Sequence, residues 1–63
     1  MKIRIKTYNG ELPSYLTVGK VYEVNCIESF TSVSIASDLN KFIVVRVINC
    51  PHLNGGSWEV VSK

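Results

Sequence analysis

The sequence lacks any run of the roughly 20 apolar residues that a membrane-spanning helix needs. Its N-terminus alternates charged residues with Ile3 and Ile5, so it has no continuous apolar segment of the kind found in signal peptides. The sequence therefore predicts neither a membrane protein nor a secreted one, and we expect a cytoplasmic protein.

Potential metal ligands and disulfide partners are also few. The chain has two cysteines, Cys26 and Cys50, and one histidine, His52, whereas a structural zinc site needs four nitrogen or sulfur ligands. We therefore predict no metal and no other cofactor. A reducing cytoplasm keeps cysteines as thiols, so we expect Cys26 to be a small core residue and Cys50 to lie at the edge of a loop.

Catalytic patterns are missing as well. His52, Asp38 and several serines occur without a nucleophile elbow or paired carboxylates. The segment 54–56, Asn-Gly-Gly, lacks the lysine and the following helix of a phosphate-binding loop. We therefore expect a binding protein and not an enzyme.

The net charge of the chain is small, whereas its content of apolar residues is high. Seven basic and five acidic side chains give a net charge of +2, which is too small for the strong field used in non-specific nucleic-acid binding. Hydrophobic residues make up 46% of the chain, which argues against disorder. A chain of 63 residues cannot bury all of them, so part of its apolar surface is available for a partner or for self-association.

Five segments with strand patterns fill most of the chain. The first alternates Ile3 and Ile5 with basic residues, and the fourth is almost continuously β-branched, as in a central strand. Turn residues separate the segments, including Asn9-Gly10 and the stretch 37–41, and a short helical turn is expected at 51–53. The predicted strands are 1–8, 21–27, 29–37, 42–48 and 57–61.

These strands predict one all-β domain over residues 1–63, a small five-stranded antiparallel barrel. The side chains expected to face the core are those on the apolar side of each strand, together with two from the turn before the second strand. They are Ile3, Ile5, Leu16, Val18, Val24, Ile35, Ile43, Val45 and Val47, with either Trp58 or Val60.

Several segments resemble small stand-alone SH3-like proteins encoded by bacteriophages and prophages. The similarity lies in MKIRIKTYNG, in YLTVGKVYEV, in the turn with Asp38 and Asn40, and in Trp58-Glu59-Val60. It implies an SH3-like barrel and a protein that occupies a surface of a bacterial host protein as a modulator or inhibitor. The long first loop holds only Glu11, whereas SH3 domains that bind proline-rich peptides carry an acidic loop. Binding of such peptides is therefore not expected.

The candidate binding residues form a basic stripe with aromatic neighbours. A host protein is the expected partner, and a nucleic acid is the alternative because a strand can track the charges while a base stacks on a ring. The charges could also keep an edge strand soluble, Trp58 could instead be a core residue, and edge-strand pairing could produce a homo-oligomer. The residues are Lys2, Arg4, Lys6, Tyr8, Tyr15 and Trp58.

Overall fold

Five antiparallel strands and one turn of 3-10 helix make up the structure, a computed structural model that describes residues 1–63. All five predicted strands and the helical turn are confirmed, with strand ends that differ from the predicted ends by at most three residues. The elements are β1 (Lys2–Thr7), β2 (Tyr22–Ile27), β3 (Ser32–Ala36), β4 (Phe42–Arg46), the 3-10 helix (Pro51–Leu53) and β5 (Ser57–Ser62).

The strands form one sheet in the order β4-β3-β2-β1-β5. The edge strands β4 and β5 do not pair, so the predicted all-β antiparallel architecture is confirmed while the sheet is not closed as a barrel. One backbone hydrogen bond, from the Trp58 N–H to the Val47 carbonyl at 2.8 Å, connects β5 to the residue just after β4. Because β1 lies between β2 and β5, its interpretation as an edge strand is wrong.

The core lies on the inner face of the sheet. Of the predicted core residues, Ile3, Ile5, Leu16, Ile35, Val45 and Trp58 are buried, and Val24, Ile43 and Val47 are partly buried against them. Trp58 fills the position that the sequence left open between it and Val60, which is exposed. The core also contains Tyr22, Val33, Cys50 and Leu53.

Two expectations about burial are wrong. Val18 is 53% exposed, because it lies in the turn closed by the Lys20 N–H and the Thr17 carbonyl. Cys26 is exposed because a register shift between Val24 and Cys26 interrupts the alternation of β2. Cys50 is buried.

The burial of Cys50 results from the way the segment before β5 folds back on the sheet. The Cys50 backbone N–H donates to the Gly56 carbonyl at 2.7 Å, and the Cys50 Sγ accepts a hydrogen bond from the Trp58 indole N–H at 3.4 Å. Gly56 lies so close to β1 that a Cβ there would collide with the Thr7 carbonyl. The segment therefore covers one side of the core. Both cysteines are free thiols.

We predict that Val45→Asp unfolds the protein, whereas Val44→Asp leaves it folded. Val45 has no exposed surface and Val44, next to it on β4, is half exposed. An unpaired charge at position 45 costs several kcal/mol against a total stability of about 5 kcal/mol. Thermal melts followed by circular dichroism compare the two variants, and a cooperative melt of Val45→Asp close to that of the parent would contradict the core assignment.

Candidate functional site

The long loop between β1 and β2, residues 8–21, is held in place by the carboxylate of Asp38 in the β3–β4 turn. Oδ2 of Asp38 accepts a hydrogen bond from the Thr17 hydroxyl at 2.6 Å. Oδ1 accepts one from the Lys20 ammonium at 2.6 Å and one from the Tyr22 hydroxyl at 3.0 Å. The Asp38 backbone N–H also donates to the Tyr15 carbonyl at 2.9 Å. One residue of the turn thus fixes the second half of the loop.

Charge pairing at Asp38 shifts the titration of the groups around it. The hydrogen bond from Lys20 lowers the pKa of the Asp38 carboxyl, with a further contribution from Thr17. The same bond raises the pKa of the Lys20 ammonium, while burial of the ring is the main cause that raises the pKa of the Tyr22 phenol. Asp38 and Lys20 therefore remain ionised and Tyr22 remains neutral near neutral pH.

The first half of the loop contacts the 3-10 helix through an aromatic pair. The Tyr15 hydroxyl lies 2.7 Å from Nδ1 of His52, and the two rings meet edge to face with centroids 5.8 Å apart. Nε2 of His52 lies 3.1 Å from the Val44 carbonyl. Because that carbonyl only accepts, Nε2–H is the donor, and in the neutral ring Nδ1 accepts from the Tyr15 hydroxyl.

These residues border a shallow cavity of about 310 Å³, which we call the loop groove. It is lined by Glu11, Pro13, Tyr15, Pro51, His52 and Asn54. The Asn54 side-chain amide donates to the Asn9 carbonyl at 2.7 Å, and the Asn9 amide donates back to the Asn54 carbonyl at 3.1 Å. The groove therefore lies just past the end of β1. Tyr8, which follows β1 in the chain, is half exposed and is not among the residues that line the groove.

Of the predicted site residues, Tyr15 lies in the loop groove, and Lys2, Arg4 and Lys6 are exposed along β1. Trp58 lies in the core, edge to face against Tyr22. The sequence did not predict the part played by His52. A proline at the first position of a one-turn helix, followed by histidine, was the only local signal.

The basic stripe on β1, formed by Lys2, Arg4 and Lys6, is not extended by basic residues from other strands. Arg4 pairs with Glu59 at 3.3 Å, and Glu23 is the cross-strand partner of Lys2. Lys20 is bound to Asp38. Arg46 lies on β4, which β2 and β3 separate from β1 in the sheet. Acidic side chains thus neutralise part of the stripe locally.

A second cavity, of about 550 Å³, lies near the start of β1 and is almost entirely apolar. Phe30, at the tip of the β2–β3 hairpin, forms one wall and is fully exposed. We call this cavity the apolar groove, and the sequence analysis did not identify it. It is lined by Met1, Ile27, Ser29, Phe30, Val33, Val47 and Val60.

The structure contains neither a cluster of metal ligands nor a membrane-spanning helix. No group of three or more histidine, cysteine, aspartate or glutamate side chains is arranged to hold a metal ion. No helix is long and apolar enough to cross a membrane.

Comparison with known proteins returns no relative. The chain matches no family of known sequences, no curated protein and no solved structure.

We predict that Asp38 makes the stability of the protein sensitive to acid. A carboxyl group with a lowered pKa contributes its full stabilisation above the ordinary value of 3.8. That contribution is lost as the pH falls from there through the lowered pKa. Thermal midpoints measured against pH should show Asp38→Asn less stable than the parent near neutral pH.

The two proteins should then converge in stability below about pH 3.8, the ordinary pKa of the carboxyl. A difference between them that stays constant from neutral pH to the acid limit would show that the charge of Asp38 contributes nothing to folding.

Proposed function

We propose that this chain is a non-enzymatic binding protein that occupies a surface of a bacterial host protein through the loop groove and the adjoining face of β1. The observation that carries the proposal is the aromatic pair Tyr15 and His52. Both rings are partly exposed at the groove. The Tyr15 hydroxyl is hydrogen-bonded to His52, and His52 is also hydrogen-bonded to the Val44 carbonyl. Aromatic residues held in one conformation are typical anchors of protein interfaces.

Preorganisation strengthens this argument. Ordering a flexible loop on binding costs affinity. In this protein, however, side-chain hydrogen bonds already hold the loop 8–21 near its start and near its end. Asp38 holds Thr17 and Lys20 near β2, and the paired amides of Asn9 and Asn54 hold its start. A partner would therefore meet a groove that is already formed.

We further propose that this chain is an SH3-like protein encoded by a bacteriophage or prophage and that it acts in the cytoplasm of the bacterial host. Support comes from the resemblance of the sequence segments described above and from the order of the elements. A long first loop follows β1, two hairpin-connected strands follow β2, and a single helical turn precedes the last strand. The groove has one carboxylate, Glu11, which does not favour a basic proline-rich peptide.

Nucleic-acid binding through β1 is less well supported. Two of the three basic residues of the stripe have acidic neighbours, Glu59 beside Arg4 and Glu23 opposite Lys2. Phosphate binding depends on unneutralised positive charge. We therefore place Lys2 and Lys6 at the periphery of a protein interface, where charges mainly influence the rate of association.

We predict that Tyr15→Ala weakens host-protein binding at least about tenfold, the effect of losing an aromatic hot spot. Tyr15→Phe keeps the ring and should retain most of the affinity. Phe42→Ser removes an exposed ring outside the groove and serves as the surface control. Quantitative pull-down from nuclease-treated bacterial lysate, followed by titration of the captured protein, measures the three variants.

Capture that is unchanged in Tyr15→Ala would overturn the assignment of the loop groove. Equal loss in Phe42→Ser would do the same, because the effect would then not be specific to that groove.

We predict that Lys2→Glu combined with Lys6→Glu leaves the fold intact, because both side chains are exposed, and strongly reduces binding of the captured protein. Surface plasmon resonance should show a slower association for the double variant. If nuclease instead removes all captured material, and retention on a nucleic-acid column falls steeply with salt, the stripe binds nucleic acid and the protein-binding proposal fails.

A further inference from the structure

We propose that two copies of this chain pair through the apolar groove, with the Phe30 side chain of each copy entering the groove of the other. The groove lies near Met1 and Val60, at the start of β1. The loop groove lies past Thr7, at the other end of that strand. The pairing surface therefore shares no lining residue with the loop groove.

Shape is the first argument for a second copy as the occupant. The side chain of Phe30 projects fully into solvent from the hairpin tip, and next to it the groove descends to the buried Val33 and the partly buried Val47. One patch therefore carries both a protruding ring and an apolar depression. A two-fold interface requires such self-complementarity, because each contact from one copy is repeated by the other.

The available area is the second argument. A stable interface buries about 800 Å² on each partner, which is about a fifth of the 4103 Å² that this chain exposes. A fully exposed phenylalanine supplies about 200 Å² of that area. Ile27, which is 60% exposed, and the half-exposed Val60 and Met1 enlarge the apolar centre.

Charge gives the third argument. No charged side chain lines the groove, and Ser29 is its only polar residue. Pairing therefore buries no charged side chain of the groove, a step that would cost several kcal/mol. The net charge of +2 on each copy produces little repulsion between the copies.

The open seam between β4 and β5 explains why the groove exists. The single bond from Trp58 to Val47 connects the two edges, and no strand pairing continues from it. Val47 is only partly buried at this seam, and together with the buried Val33 it forms the floor of the groove. A second copy supplies the missing cover.

A dimer of this kind has a consequence for binding. β1 has six residues and is therefore roughly 20 Å long, so pairing at its start leaves both loop grooves accessible. Two grooves on one assembly raise the avidity for a host protein that presents more than one copy of its site.

The test is the mass of the purified chain in solution, measured by sedimentation equilibrium over a wide concentration range. Reductant must be present, because Cys26 is an exposed free thiol and could cross-link copies. The parent should dimerise reversibly, and Phe30→Ser should raise the dissociation constant roughly 1,000-fold, because the substitution removes two symmetry-related hot-spot contacts of about 30-fold each. Phe42→Ser is the matched control, since Phe42 is the other phenylalanine, is 67% exposed and lies outside the groove.

Phe42→Ser should dimerise like the parent. In a dimer of labelled and unlabelled chains, isotope-filtered NMR should show contacts between the Phe30 ring of one copy and the Val33 and Val47 methyl groups of the other. A parent that stays monomeric up to about 1 mM, where pairing would be weaker than about 4 kcal/mol, overturns the proposal. A dimer unaffected by Phe30→Ser also overturns it.

A monomeric parent whose capture of a host protein is lost in Phe30→Ser would assign the groove to the host partner instead. Because the mass measurement uses the purified chain alone, its result does not depend on whether a host partner binds at the loop groove.

Discussion

The Asp38 carboxylate is the interaction on which the arrangement of the loop groove depends. The loop 8–21 is not part of the sheet and forms no strand pairing. Its position therefore depends on side-chain hydrogen bonds and turn contacts. Asp38 provides three side-chain hydrogen bonds to it and to Tyr22, and its backbone N–H binds the Tyr15 carbonyl. Tyr15 is thereby placed where its hydroxyl reaches His52, which in turn binds the outer edge of β4. Loop, 3-10 helix and sheet form one connected unit.

Small size is the second constraint, and it produces the apolar groove. A chain of 63 residues leaves a large share of its surface unburied on folding. Its sheet also stays open between β4 and β5, so Val33 and Val47 face a cavity and Phe30 has no intramolecular packing. The two candidate surfaces therefore have different physical origins. One is a polar groove built by hydrogen bonds, and the other is apolar surface that the fold could not cover.

The strands could be predicted from the sequence because period-two alternation and turn residues are local signals, and Val45 was correctly placed in the core. Features that depend on contacts between distant residues could not. A register shift turned Cys26 outward, and the segment before β5 folded back to bury Leu53. The contacts of His52 join three separate elements. Phe30 gave no signal, because one apolar residue in a hairpin turn fits neither a strand nor a helix pattern.

Native-state hydrogen exchange by NMR tests most directly the claim that Asp38 makes the long loop a fixed part of the fold. The informative amides are those of Thr17, which donates to the Tyr22 hydroxyl, and of Asp38, which donates to the Tyr15 carbonyl. We predict that both exchange as slowly as the amides of the paired strands β3 and β4, because they open only with the core. Exchange as fast as that of the exposed Phe30 at the tip of the β2–β3 hairpin would show that the loop moves independently and would contradict the account.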